Sequence, residues 1–342
     1  MKKIIGITMG DPAGIGAEII VKALKRAEVY EKCVPVVIGD LAVIKDAISI
    51  CRASLEINII QNISMAKGIV GTIDLINMDY IKENGWEYKR AAALCGKACF
   101  SYVTYAIQMA LKGEINAVVT APINKEALHM AGYQYSGHTE IFADFTHTSD
   151  YAMLLVSEGV KVIHVSTHCS LREACDKVKK ERVYKVIRLA ERGLNMLGYS
   201  APKIAVAGLN PHCSENGLFG YEEEKEIRPA IEKAKKEGID VYGPEAPDTV
   251  FVKCRAGVFD VVVAMYHDQG HIPLKLCGFQ MDLKADKFTS VSGINCTIGL
   301  PIIRTSVDHG TAYGKAGEGR ANEDSMLDAI NAAITMADYR QV

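Results

Sequence analysis

The sequence predicts an α/β protein with largely parallel strands. Short apolar runs rich in β-branched residues alternate with stretches of helical period along the whole chain. The runs are apolar on both alternating faces, as strands covered by helices on both sides must be. There are no repeats, low-complexity tracts or long linkers, so any two domains share a compact hinge.

Taken in order, "KKIIGIT" (2–8) reads as the first strand and "GAEIIVKALKRAEVYEK" (16–32) as the helix after it. Strands follow at "VPVVIG" (34–39) and "LEINII" (55–60), a long helix at 87–113, and a strand at "INAVVTAP" (115–122). "AMLLVS" (152–157) and "KVIHVST" (161–167) are the next two strands. The helix over 172–197 is opened by Ser170 and Glu173, a capping box in which each side chain satisfies an end of the other's backbone. "KIAVAGLN" (203–210), a helix over 221–238, "DVVVAMY" (260–266), "LPIIRTS" (300–306) and a helix over 323–340 complete the alternation.

Bulk properties narrow the function. With 49% hydrophobic and 23% charged residues, the 342-residue chain has the composition of a globular protein. Its 39 basic and 41 acidic residues leave a net charge of −2, which argues against a nucleic-acid partner. No apolar run reaches the ~18 residues of a membrane span, and the apolar stretch after the two initial lysines is too short for a signal peptide. The expectation is therefore no membrane partner and a cytoplasmic location. The 10 cysteines show no C-x-x-C pair and read as reduced, mostly buried thiols.

The strand ends carry the chemistry. One strand leads into Asn124 and Lys125, another into His168, a third into Asn210 and His212, a fourth into His267 and Asp268, and the last into Asp308, His309 and Gly310. Ligands of open α/β sheets bind beyond the carboxyl ends of the strands, so these residues point to one convergent polar site. His168, His212 and His267 can meet at a divalent metal, with Asp268 as ligand or as support to one. Taken singly, each reads better as a cap on a strand or a bond to a backbone carbonyl; arriving together at three strand ends, they bring the metal reading level with it. In "AMYHDQGHIPLKL" (264–276) the spacing of His267 and His271 fits an H-E-x-x-H helix. Gly270 and Pro273 discourage a helix, and Asp268 is shorter than the glutamate that motif uses. The expectation is a strand that runs into a loop.

"SGHTE" (136–140), Lys275 and the buried-strand Arg304 suggest binding of phosphate or carboxylate, an internal salt bridge being the alternative for Arg304. "MGDPAGIGAEI" matches neither nucleotide-loop pattern and reads as a tight strand-to-helix turn, with Asp11 and Glu18 as caps or solvated surface.

As a set, "ITMGDPAGIGAEI", "TAPINKEAL", "GHTE", "STHCSLREA", "GLNPH", "PDTVF", "MYHDQG" and "GLPIIRTSVDHGTA" resemble the PdxA family over residues 4 to 320. The resemblance implies two α/β/α domains with a cleft between them, like isocitrate and isopropylmalate dehydrogenases. Residues 1–130 with 305–342 would form the first domain. Residues 131–304 would form the second, carrying metal and substrate ligands and a homodimer interface with a shared site. It further implies metal- and NAD-dependent oxidation of a phosphorylated β-hydroxy acid. His168, His212 and His267 fall on the metal ligands. His138, Thr139, Lys275, Asn295 and Arg304 fall on substrate binding, and Asp248 and Asp268 on acids beside the reacting centre. Asp308, His309, Gly310 and Gly314 fall on the cofactor side, where Gly314 and Lys315 replace a usual acid and open the way to NADP.

Two branches fit: 4-phosphooxy-L-threonine oxidation, or oxidation of D-threonate or D-erythronate 4-phosphate. "DQGHIPLK" and the long segment 278–294 between Lys275 and Asn295 favour the second. Lys125 or Asp248 would be the base, and zinc, magnesium, manganese or cobalt would each suit the metal site. A metal-dependent hydrolase or aldolase without nicotinamide, and a non-catalytic binding protein, are the other classes.

Overall fold

The computed structural model describes residues 2–340 except 84, 158, 283–286 and 292. Its strands are β1 (Lys3–Thr8), β2 (Cys33–Gly39), β3 (Glu56–Ile59), β4 (Thr72–Asn77), β5 (Ala117–Thr120), β6 (Ala152–Ser157) and β7 (Val160–His164). There follow β8 (Ile204–Ala207), β9 (Val241–Glu245), β10 (Val261–Ala264), β11 (Phe279–Asp282), β12 (Lys287–Val291), β13 (Ile294–Ile298) and β14 (Arg304–Val307). The chain divides into two compact units, residues 1–149 with 300–338 and residues 150–299 with 339–342.

In the first unit the strand order is β3-β4-β2-β1-β5-β14, parallel throughout. Ile5, Ile7, Val36, Val37, Val118 and Val119 are fully buried, as expected of strands covered on both faces. The turn after β1 is built to touch backbone. A Cβ on Gly16 would lie 2.2 Å from the Met9 carbonyl oxygen, and Gly10, at φ +75°, would press on Pro122. Residues 131–149 belong to this unit because Tyr133 stacks on Phe100 at 3.7 Å and Phe145 meets the same ring edge-on. His138, Thr139 and Arg304 therefore lie in the first unit, where the resemblance placed them in the second.

In the second unit the order is β13-β6-β7-β10-β8-β9. β7, β10, β8 and β9 are parallel, and β6 runs antiparallel to both β7 and β13. Val162, Ala205, Val262 and Leu155 sit at the centre of its core. The capping box forms as expected: Glu173 N donates to Ser170 Oγ, and Ser170 N donates to Glu173 Oε2. The helix it opens is two, Leu171–Lys177 and Lys180–Met196, interrupted at the buried Val178. Similarly, the run 16–32 breaks into Gly16–Ala23 and Ala27–Lys32, and the long helix begins only at Ala93. Strands β4, β9 and β13 and the helix Leu41–Ile50 were not expected. Segment 278–294 contributes an antiparallel β11–β12 pair, and residues 283–286 and 292 of it lie outside the described residues.

Among the described residues no helix is long and apolar enough to cross a membrane. All 10 cysteines are free, but half of them, including Cys169 and Cys213, are only partly buried.

Candidate active site

The second unit gathers histidines where β7 and β10 end. A pocket of about 330 Å³ is lined there by Thr167, His168, Cys169, Tyr266, His267 and Asp268, among others. A larger cavity of this unit, about 990 Å³ beside the helix Lys180–Met196, shares no residue with it and is lined by no histidine. The His168 and His267 rings lie 6.0 Å apart. Asp268 Oδ1 accepts from His267 Nδ1 at 2.7 Å. A carboxylate on Nδ1 fixes the tautomer that leaves the Nε2 lone pair available, the arrangement of a metal-ligating histidine.

His267 does not open a loop. It opens the helix His267–Gly278, with Gly270 and Pro273 inside it. Local propensity is outweighed by packing. Gly270 and Leu274 are buried, and a Cβ on Gly270 would lie 2.4 Å from His164 Nε2 and 2.5 Å from Val162 Cγ1. Glycine is what lets the helix sit on β7. The helix entry is tied by Gln269, which accepts from Met265 N at 2.7 Å and donates to the Gly208 carbonyl oxygen, at the end of β8, at 2.8 Å.

His267 and His271 thus share a helix face, and their rings stack at 3.6 Å with 10° between planes. The lone pairs of stacked rings lie in separate parallel planes, so the pair does not converge on one ion as a zincin pair does. Behind them lies His164, with its ring 4.8 Å from that of His271. It is 1% exposed, and its Nε2 has no hydrogen-bond partner. Burial, reinforced by the neighbouring histidines, holds its pKa down to about 3, so the ring is neutral. His164 had no role in the sequence, although a histidine inside an apolar strand is a signal that it packs on something polar.

His212 stands on a separate loop. His212, Cys213, Ser214, Glu215 and Asn216 all have left-handed backbone, with φ between 44° and 69°. Such residues cost on the order of 1 kcal/mol each and persist only where their surroundings hold them. The segment that leads into them is tied by Glu223, fully buried on a π-helical turn. It accepts from Leu209 N at 2.8 Å, Asn210 N at 2.7 Å and Asn210 Nδ2 at 2.9 Å. Ser214 Oγ donates to the Gly220 carbonyl oxygen at 2.7 Å. Among the described residues no three His, Cys, Asp or Glu side chains come together as a metal group, so His212 does not join His168 and His267 within the chain.

Elsewhere in this unit, Lys275 Nζ lies 4.4 Å from the centre of the Phe279 ring. Asn295 Nδ2 faces Met153 Sδ at 2.7 Å, and its Oδ1 is buried without a partner. Asp248 is exposed in the turn before the helix Val250–Arg255.

The first unit holds the other candidates. Arg304 is 2% exposed, donates to Thr120 Oγ1 at 2.9 Å and lies over the Phe142 ring. His138 begins the helix His138–Phe145 next to Thr139. Its Nε2 is sealed from solvent without a hydrogen bond, although the residue as a whole is half-buried. Burial, and then the Arg304 charge, push its pKa well below the usual imidazole value. A neutral imidazole beside a buried guanidinium suits an anionic ligand. Lys125 is exposed at the start of the helix Lys125–Met130.

On the expected cofactor side, Asp308 N donates to Ser325 Oγ and His309 Nδ1 to the Gly310 carbonyl oxygen. Gly310 and Gly314 are exposed, with open space where a Cβ would be. This segment is anchored from below. Tyr313 Oη donates to Asp11 Oδ2 at 2.5 Å, and Gly317 N and Gly319 N donate to the two Glu18 oxygens at 2.7 Å each. Asp11 and Glu18 are accordingly buried anchors, not solvated surface, and Asp11 also caps its own turn, its Oδ1 accepting from Ala13 N at 2.9 Å. Burial raises both their pKa values.

A family model described as pyridoxal phosphate biosynthetic protein PdxA matches residues 31–333. The chain belongs to the PdxA family. A Salmonella typhimurium relative named D-threonate 4-phosphate dehydrogenase is 47% identical, the match covering 98% of this chain and 99% of that one. A solved structure of 4-hydroxythreonine-4-phosphate dehydrogenase from Klebsiella pneumoniae is 44% identical, with a TM-score of 0.84 over 98% of this chain and 100% of its own. A β-decarboxylating dehydrogenase from Thermococcus kodakarensis, 13% identical with a TM-score of 0.52 over 99% of this chain and 83% of its own, shares the fold. The PdxA chain described here is an oxidoreductase acting on a CH–OH group.

Proposed function

We propose that this PdxA-family chain oxidises D-threonate 4-phosphate or D-erythronate 4-phosphate, with loss of CO2, using NAD and one divalent ion. The observation that carries the reading is His267, its Nδ1 held by Asp268 and its Nε2 left for an ion beside His168. The Salmonella relative's name supports the substrate class. The cysteines, none paired, suit the cytoplasm, and a homodimer with a shared site is part of the same proposal.

His168 and His267 would hold the ion, with His212 as the third ligand implied by the family. A bound ion would supply Lewis acidity toward the alcohol and the developing enolate, and nicotinamide would accept the hydride. The chain's own residues do the rest. His138, Thr139 and Arg304 bind anionic oxygens of the substrate, and Lys275 and Asn295 orient it. Lys125 or Asp248, both exposed, takes the hydroxyl proton and passes it to water. Asp308, His309, Gly310 and Gly314 face the cofactor, with Lys315 nearby to accommodate NADP.

The Klebsiella structure's name favours a second substrate, 4-phosphooxy-L-threonine. Purified protein is given each of the three phosphates with NAD+ or NADP+, with and without EDTA, and followed by the absorbance of the reduced nicotinamide. EDTA-sensitive turnover of the threonate or erythronate phosphates is expected. Preference for the amino acid would move the enzyme to the second substrate. Phosphate or aldehyde release without nicotinamide reduction would make it a hydrolase or aldolase.

A further inference from the structure

We propose that His271 is a positioning residue for metal binding: its ring is the platform that sets the plane of His267. The inference rests on His267 being a metal ligand. His267 lies in the first turn of its helix with its side chain 37% exposed, a place where an imidazole is free to turn. Two contacts remove that freedom. Asp268 holds the Nδ1 edge at 2.7 Å, and the His271 ring covers one face at 3.6 Å with 10° between planes. The Nε2 edge is the one left for a ligand.

His271 is itself fixed. Its Nδ1 donates to the His267 carbonyl oxygen at 3.0 Å, one turn back along the helix. The ring of His164, set in β7 and 1% exposed, lies 4.8 Å from it. Order is passed outward from the buried strand through His164 and His271 to His267. A ring fixed before the ion arrives loses less freedom on binding, which strengthens the site without adding a ligand. His271 does not join His267 on one ion, because its Nε2 lone pair lies in a plane stacked on that of the His267 ring.

The test uses the full-length chain stripped of metal and titrated with Co2+, followed by calorimetry and by the visible absorption of bound Co2+. His271→Ala should weaken Co2+ binding about tenfold and alter the absorption band, the size of effect that outer residues have on a metal site. His271→Phe keeps a flat ring and should restore both. Should the alanine variant fail to fold, as judged by circular dichroism, His271→Met fills the space without a flat ring and replaces it. Wild-type Co2+ affinity in the alanine variant, or a phenylalanine variant as weak as alanine, overturns the proposal while His267→Ala still abolishes binding. If His267→Ala itself binds Co2+ like wild type, the metal reading falls, and the proposal with it.

Discussion

Replacing Gly270 with alanine tests how the helix His267–Gly278 is seated. On an open helix face the change stabilises by about 1 kcal/mol, because alanine gives up less backbone freedom than glycine. Here the new methyl would lie 2.4 Å from His164 Nε2 and 2.5 Å from Val162 Cγ1, well inside van der Waals contact. Both neighbours belong to β7 and are buried, at 1% and 0% exposure, so neither has space to retreat. Overpacking of this kind costs about 1–3 kcal/mol, and two simultaneous clashes put it at the upper end. The net expectation is a loss of about 2 kcal/mol after the propensity gain is subtracted. Urea unfolding followed by circular dichroism should show a lower midpoint at unchanged slope. Adding His164→Ala removes one of the two clashes, so the double variant should lose less than the two single losses summed. A Gly270→Ala variant as stable as wild type would refute the reasoning, since the helix could not then lie on β7 as described.

Two further expectations concern pH and the His212 loop. His164 is held to a pKa of about 3, below the ordinary imidazole value, so between those values the unfolded chain takes up a proton that the folded chain refuses. Its share of stability is present above about pH 6.5 and is lost as pH falls toward 3, with about 2 kcal/mol gone by pH 5. Urea midpoints of metal-free protein at pH 7 and pH 5 should therefore differ less in His164→Ala than in wild type, and equal differences would refute the assignment. Glu223→Gln keeps the shape but gives up one of the two carboxylate oxygens that accept from Leu209 and Asn210, at the entry to the strained loop. It should cost about 2 kcal/mol in thermal or urea unfolding, and an unchanged midpoint would mean that the loop does not depend on that carboxylate.

The alternation of strands and helices was legible because parallel strands buried on both faces must be nearly continuous apolar runs, as β1, β2, β5 and β10 are. The ends of those strands were legible for the same reason, since the run stops where the polar residues begin. Elements whose logic is not local were not. Asp11 and Glu18 look like ordinary turn acids until the chain returns some 300 positions later to hydrogen-bond with them. Five left-handed residues in a row carry no glycine to announce them, and the buried Glu223 that ties Leu209 and Asn210 just before them is hidden in an acidic run.

The sharpest divergence is the helix at His267, and its cause explains the site. Gly270 and Pro273 argue against a helix only while the segment is weighed alone. Once β7 is in place, glycine is the residue that fits over His164, and burial of Leu274 outweighs the propensity that the two residues forfeit. The same packing divides labour among four histidines. His164 lies in the strand, neutral and sealed; His271 lies over it; His267 stacks on His271 with its outer nitrogen left open; and His168 stands 6.0 Å away across the pocket. A loop would have given His267 no platform. The helix that propensity disfavours is what turns an exposed imidazole into an oriented one.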